Sequence, residues 1–164
     1  MILSLPSAAQ LLLRYGAVEI AQAAVPDDQD PIAPELLQAA ADGSDLDAWS
    51  AAEVATATLA LARIADAVTR ARSEMSFYLR FRTEADGVPE WVSDDLAEMA
   101  RYHLFDDAGK EESTIRTRYE DVLRRLETLA SEDQARGIAE GGGLGGVLTS
   151  SAGRMFTRRT LGHL

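Results

Sequence analysis

Apolar residues recur along most of the chain at the three- and four-residue spacing of a helix face. The longest such pattern runs from Val54 to Tyr78, where the intervals alternate between three and four residues. No proline or glycine interrupts it before Gly87. The pattern predicts a single helix of about 30 residues, about 45 Å long at 1.5 Å per residue. Its apolar face, called the long-helix stripe below, contains Val54, Ala57, Leu61, Ile64, Val68, Ala71, Met75 and Tyr78.

The residues before the stripe mark where this helix begins. Ser50 and Glu53 have the spacing of a capping box, in which each side chain accepts a hydrogen bond from the backbone N–H of the other residue. Trp49 and Val54 flank the box with apolar side chains that can contact each other, as in a hydrophobic staple. The helix is therefore expected to begin directly after Ser50.

Similar signals predict shorter helices on both sides of the long one. Ser7 and Gln10 have the spacing of another capping box, and Gly16 is the residue type that commonly ends a helix. Residues 83–87 are expected to form a turn between the long helix and the next one. Further helices are predicted over residues 18–24, over 34–41 with Gly43 closing it, over 90–104 with Asp94 and Asp95 in its early turns, and over 113–131.

These elements predict an all-α fold, in which residues 1–137 form a small helical bundle with one long central helix. Two roles stay open for the long-helix stripe. It can form the backbone of the chain's own bundle, or it can pack against a second copy as in a coiled coil. The candidate residues for such oligomer packing are Val54, Leu61, Ile64, Val68, Met75 and Tyr78.

Residues 138–164 differ in composition from the predicted bundle. Five of the seven residues from Glu140 to Gly146 are glycine, which predicts a flexible linker. Residues 147–164 contain three arginines and no acidic residue, with apolar side chains between them. This pattern predicts a flexible C-terminal arm that binds a partner. The candidate partner-binding residues are Arg154, Met155, Phe156, Arg158, Arg159 and Leu161.

Charge divides the chain near the same place. The 164 residues carry a net charge of −11, of which residues 1–146 contribute −14 and residues 147–164 contribute +3. An acidic body lacks the basic surface with which nucleic-acid-binding proteins displace counterions from phosphates. The charge therefore excludes a general DNA binder. We expect the arm to contact an acidic partner or a neighbouring subunit in preference to DNA.

The sequence contains no recognisable catalytic, cofactor or metal site. It has no cysteine, which removes thiolate metal sites and cysteine nucleophiles, and its glycine-rich segment lacks the Lys and Ser or Thr of a phosphate-binding loop. His103 lies near Asp106 and Asp107, but no nucleophile accompanies it, so it is interpreted as a packed side chain. We expect no enzymatic activity and no cofactor. An enzyme would depend on His103 or on the pair Asp94 and Asp95.

Composition and hydropathy also bear on the compartment. Apolar residues make up 46% of the chain, which is typical of a packed soluble domain. No run of about 18 apolar residues predicts a membrane span, and residues 1–6 lack the basic start of a signal peptide. We therefore expect synthesis in the cytoplasm and no membrane contact.

Several segments, in order, resemble those of one known family. Residues 96–104 and 115–127 follow Pro89, while residues 11–16 and 76–82 are similar to the family's opening helix and to the end of its long helix. The Arg, aromatic, Thr and Arg residues within 154–162 match its usual C-terminal ending. The family comprises Mu-like phage and prophage proteins encoded among the head and neck genes. Residues 31–49 look like an insertion relative to its pattern.

The resemblance implies a structural virion protein, a head-tail connector or adaptor that forms a ring between the portal and the tail or tail terminator of a tailed phage or phage-like particle. Similar adaptors are all-helical and usually assemble as dodecamers. The implied partners are the portal protein, the tail terminator or another neck protein, and further copies of the chain, with genomic DNA passing through the lumen. The implied location is the head-tail junction of the virion, after synthesis in the host bacterial cytoplasm. The alternative is a small helical binding or regulatory protein that dimerises through its long helix.

Overall fold

The computed structural model describes residues 3–105 and 113–140, with side chains through residue 137. All regular secondary structure in these ranges is helical, which confirms the predicted all-α fold. Most of the predicted linker and the whole predicted arm lie outside the described residues. The described elements are α1 (Ala8–Tyr15), α2 (Ala17–Ala24), α3 (Pro34–Ala41), α4 (Ala51–Tyr78), a 3₁₀ turn (Leu79–Phe81), α5 (Glu90–Leu104) and α6 (Thr114–Glu140).

Helix α4 is the central element of the bundle, as the long apolar pattern predicts. Its 28 residues span about 42 Å at 1.5 Å per residue, and it contacts each of the other five described helices. Its most extensive contact is with α5, while α6 packs against α5 and the 3₁₀ turn. The short helices α1, α2 and α3 pack against one another and against α4.

A single apolar core joins all six described helices. Leu36 and Leu37 are fully buried although they belong to residues 31–49, so this segment is part of the core. Burial of a leucine side chain contributes about 1.5–3 kcal/mol to stability. The two leucines therefore stabilise the eight-residue helix α3, which would be only marginally stable in isolation. The largest fully buried side chains are Leu12, Ile20, Leu36, Leu37, Ile64, Met75, Val92, Leu96, Met99, Val122 and Leu126.

Both predicted capping boxes are present. At the start of α4, the backbone N–H of Ser50 donates to Glu53 Oε2 at 2.9 Å, and the backbone N–H of Glu53 donates to Ser50 Oγ at 3.3 Å. Ser7 and Gln10 make the same reciprocal pair before α1. Trp49, at the predicted staple position, packs half-buried against the core. Local sequence therefore determines where these two helices begin.

The connections between helices also follow their residue types. Gly16 is the single residue between α1 and α2. Its backbone φ is +93°, a conformation that residues other than glycine rarely adopt. In the turn before α5, Asp86 Oδ2 accepts hydrogen bonds from the backbone N–H and the hydroxyl of Thr83, at 2.8 and 2.7 Å. The two bonds lower the pKa of Asp86 below its usual value, and the bond from the Thr83 hydroxyl has the larger effect. The predicted turn over residues 83–87 is confirmed.

Helix α6 is longer than the sequence pattern predicts. It continues from Ser131, the predicted end, to Glu140 and passes through Gly137. The apolar face ends near Ala130, but Asp133 extends the same face and is buried against the rest of the bundle. A glycine inside a helix costs about 1 kcal/mol relative to alanine, so contacts in the preceding turn can maintain the helix through it.

Candidate interaction surfaces

The structure places the long-helix stripe inside the chain's own bundle. Ile64, Val68 and Met75 are buried among the described helices, so these candidates for oligomer packing belong to the intramolecular core. The other three candidates for oligomer packing are half-buried and pack against the edge of the same core, namely Val54, Leu61 and Tyr78. A dimer formed through the stripe would require the bundle to open. The interpretation of the stripe as a bundle backbone is the one that the structure supports.

His103 lies in a polar and aromatic cluster that joins α4, α5 and α6. Its Nε2 is 2.8 Å from Glu74 Oε2, and the hydroxyl of Tyr119 donates to Oε1 of the same carboxylate. The ring of Tyr119 stacks on that of Tyr102, with centroids 3.8 Å apart and planes 5° from parallel. His103 is half-buried, which confirms its interpretation as a packed side chain. Its predicted neighbours Asp106 and Asp107 lie outside the described residues.

The contacts of this cluster stabilise packing between helices. Burial, followed by the hydrogen bond to Glu74, raises the pKa of Tyr119 well above its usual value. The pKa of Tyr78 is also raised, first by burial and then by the charges of Glu74 and Glu127. Both phenols are therefore protonated at neutral pH. Across the ranges 3–105 and 113–137, no group of three or more His, Cys, Asp or Glu side chains is arranged to hold a metal ion.

Two adjacent aspartates of α5 occupy different environments. Asp95 is buried and accepts two hydrogen bonds from Arg125 of α6, one of them from Nε at 3.0 Å. Asp94 is exposed and pairs with Arg14 of α1. Both lie in the second turn of α5, and each carboxylate is paired with an arginine of another helix. The structure therefore gives the pair a structural role and does not bring the two carboxylates into one site with His103, which contacts Glu74.

A second buried aspartate ties the end of α6 to the turn before α5. Asp133 Oδ2 accepts a hydrogen bond from Arg82 at 3.2 Å, and Arg82 Nε donates to the carbonyl of Gly87 at 2.6 Å. Arg136 bridges Asp133 Oδ1 at 3.3 Å and Asp86 Oδ1 at 3.0 Å. The geometry around Asp133 Oδ1 does not form a full hydrogen bond, so this contact is mainly electrostatic.

Sequence reasoning missed both buried aspartates, although a signal was present. Asp133 continues the spacing of the apolar face of α6, four residues after Leu129 and seven after Leu126. Asp95 precedes Leu96 and follows Val92 by three residues, which places it on the buried face of α5. An aspartate at an apolar position of a helix indicates a buried carboxylate that needs a charged partner.

One long stretch of the sequence contains acidic residues without any basic ones. Residues 15–62 contain nine Asp and Glu and no Lys or Arg, and this range is called the base-free segment below. Among the described residues, Glu19 alone of the nine acids forms an ion pair, with Arg101 at 2.5 Å. The other eight carboxylates leave a negative surface that the fold does not neutralise. The base-free segment comprises α2, α3 and the first residues of α4.

The most exposed of the large apolar side chains among the described residues lie on α1, on α2 and at the end of α4. Leu13 and Val18, on α1 and α2, are 85% and 59% exposed. At the end of α4, Phe77 is 61% exposed and the guanidinium of Arg80 lies over its ring, 4.0 Å from the centroid. Phe81 covers the same guanidinium at 4.4 Å. Exposed apolar side chains grouped with polar ones are typical of surfaces that contact another macromolecule.

No described helix combines the length and the apolar character that crossing a membrane requires.

Comparison with known proteins identifies the family. Searches among curated proteins and among solved structures give no significant match. The family profile described as Bacteriophage Mu, Gp36 matches residues 7–142, which include all six described helices. This chain therefore belongs to the bacteriophage Mu Gp36 family.

Proposed function

We propose that the chain is a structural protein of the phage particle, a head-tail connector whose copies form a ring between the portal and the tail or tail terminator. The observation that carries the proposal is the unneutralised acidic surface of the base-free segment on an otherwise well-paired helical body. Its place in a bacteriophage family supplies the context.

The acidic surface suits a protein that lines a passage for DNA. Double-stranded DNA carries one negative charge per about 1.7 Å of its axis, so an acidic wall repels it and leaves it free to slide. The chain would act through assembly and surface burial, without catalysis. Its partners would be the portal protein, a tail terminator or other neck protein, and further copies in a ring such as a dodecamer. It would act at the head-tail junction after synthesis in the host cytoplasm.

The C-terminal arm would add a second contact to this assembly. A tethered segment binds at a high effective concentration, so a weak site on the arm strengthens attachment of the whole subunit. Arg154, Arg158 and Arg159 supply the charge, and Met155, Phe156 and Leu161 supply apolar anchors.

Disruption of the gene in the phage or prophage that encodes the chain tests the connector role. Electron microscopy should show DNA-filled or leaking heads without tails, because the portal would lack its adaptor. A wild-type copy supplied in trans should restore complete particles. Normal infectious particles in the disrupted strain would contradict the proposal.

Deletion of the residues after Glu140 tests the arm separately. Helical content by circular dichroism should be unchanged, because the core lies within residues 11–130. Incorporation into particles should fall. A matched chain in which Arg154, Arg158 and Arg159 are replaced by Ala keeps the length and separates loss of charge from loss of the segment. Incorporation equal to that of the wild type in both would contradict a docking role.

A further inference from the structure

An apolar trough with acidic side chains along it crosses α2 and α3. We infer that this trough is the docking site for the basic C-terminal arm, residues 147–164, of a neighbouring copy of the chain. The inference deepens the proposed connector function and rests on it, because it specifies one contact by which copies would join into a ring. The arm would pair with the three unpaired acids of the trough, and the other five unpaired acids of the base-free segment would supply the wall that repels DNA.

The trough consists of two connected depressions. The first lies between the end of α2 and the start of α3 and has a volume of about 440 Å³, and the second is a shallower, open depression of about 870 Å³ along the other side of the same helices. Val18, Gln22 and Pro34 line both depressions and therefore lie where they join. Val18 is 59% exposed there, and Val25 and Ile32 continue the apolar wall. Residues 15–44 of two successive helices and the loop between them line the trough, so a partner segment can contact both helices at once.

The charged side chains that line the trough are all acidic. Asp27 lines the first depression, and Glu19, Glu35 and Asp42 line the second, while no Lys or Arg lines either one. Arg101 neutralises Glu19. The other three carboxylates form no ion pair within the described ranges, so their charge is available to a basic partner.

The arm matches this surface in charge and in apolar content. It carries three arginines and no acidic residue, whereas the base-free segment around the trough carries nine acids and no base. Met155 and Phe156 stand between Arg154 and Arg158, so apolar and basic side chains alternate in short blocks. Apolar side chains can cover Val18 and the prolines while guanidinium groups pair with the rim carboxylates.

The position of α6 favours a trough on another copy. Arg136 and Asp133 tie the end of α6 to the turn that follows α4. Helix α2 meets α4 much earlier, where Arg63 donates to the carbonyl of Val25 at 3.3 Å. From Arg63 to Tyr78 the helix rises roughly 22 Å at 1.5 Å per residue. The last described side-chain contacts of α6 thus lie this far along α4 from the chain's own trough, and the inference assigns the arm to the trough of a neighbour.

A charge exchange between two full-length variants tests the inference. The trough variant Asp27→Lys/Glu35→Lys and the arm variant Arg158→Glu/Arg159→Glu each juxtapose like charges at the proposed contact. We expect sedimentation velocity at low salt to show concentration-dependent association of the wild type and about tenfold weaker association of each variant. An equal mixture of the two variants should associate like the wild type, because each trough then meets an arm of opposite sign.

Matched variants separate this contact from general electrostatics and from misfolding. Asp66→Lys/Asp121→Lys changes as many charges on exposed positions of α4 and α6 and should associate like the wild type. Val18→Glu changes one exposed trough residue without touching the core and should weaken association. A monomeric wild type, trough and arm variants that associate normally, or a mixture that fails to recover would each overturn the inference.

The outcomes also separate this inference from the proposed function. If gene disruption gives tailless particles while the charge exchange leaves association unchanged, the connector role stands and the arm docks elsewhere. If the charge exchange succeeds but disruption leaves normal particles, the trough binds the arm in a protein that is not a connector.

Discussion

The base-free segment and the remainder of the bundle manage charge in opposite ways. In residues 63–105 and 113–137, arginines pair with carboxylates across and along the helices, as Arg125 does with Asp95 and Arg82 with Asp133. In residues 15–62, eight of nine acids have no such pair within the described ranges. The first arrangement stabilises the fold, whereas the second leaves negative charge for a partner. The comparison shows that residues 15–62, which carry −9, hold negative charge that no base of the same segment balances.

Truncation of a core side chain, either in the base-free segment or in the remainder of the bundle, should reduce stability more than any other change considered below. Leu37→Ala in α3 and Leu126→Ala in α6 each remove a fully buried side chain, and each should lower the free energy of unfolding by about 3 kcal/mol. Because one core joins both sides, chemical denaturation should show a single transition for each variant. Leu13→Ala, at a position that is 85% exposed, is the control and should change stability little. Two separate transitions would show that the sides fold independently.

Loss of a paired arginine should have the next largest effect. Arg125→Ala leaves the buried Asp95 without its partner and should cost about 2 kcal/mol, less than for a fully buried pair because half of Arg125 is exposed to water. Arg124→Ala, at the adjacent position, removes an exposed pair with Asp121 and should cost less than about 0.5 kcal/mol. Equal effects in urea denaturation would contradict the assignment of Asp95 as a buried structural anchor.

Alkaline pH should weaken the cluster at the interface of α4, α5 and α6. The pKa of Tyr119 is raised in the folded chain, so above a pH of about 10 the unfolded chain releases a proton that the folded chain retains. Stability is therefore fully present below that pH and falls as the pH rises. Denaturation curves between neutral pH and pH of about 11 should show a smaller decline for Tyr119→Phe than for the wild type. Tyr102→Phe serves as the control, because it keeps the ring that stacks on Tyr119 and leaves the hydrogen bond from Tyr119 to Glu74 in place.

Neutralisation of one acid in the base-free segment should change stability least, and any change should be an increase. Asp28→Asn removes a charge surrounded by like charges and should leave stability unchanged or raise it by less than about 0.5 kcal/mol. Asp133→Asn, the counterpart on the other side, removes the charge that faces Arg82 and should destabilise the chain. A loss of stability in Asp28→Asn as large as that in Asp133→Asn would contradict the comparison.

Much of the fold could be predicted because its signals are local. Ser50 with Glu53 determines one helix start, and the stripe from Val54 to Tyr78 predicts the central helix. The pairing of Asp95 with Arg125 joins positions 30 residues apart, and periodicity says nothing about which partner a buried charge finds. The end of α6 was missed for the same reason, since Asp133 is held by the distant Arg82.

The surfaces were harder to predict than the fold. A stripe of helical spacing has the same appearance whether it packs within a chain or between copies, so the sequence left both roles open. The trough depends on how α2 and α3 lie together, and no single motif encodes it. The absence of bases from residues 15–62 could have been read from the sequence, but its meaning depends on knowing which acids the fold pairs.

The base-free segment also determines how the protein is cut. Trypsin cleaves after Lys and Arg, and the chain has neither between Arg14 and Arg63. A tryptic digest therefore releases α2, α3 and the trough in one peptide, residues 15–63, whereas the arm offers cleavage sites at Arg154, Arg158 and Arg159. Cleavage after Arg154 removes residues 155–164 from a chain whose trough trypsin cannot cleave, and a cross-link from the arm to the trough always involves the peptide 15–63.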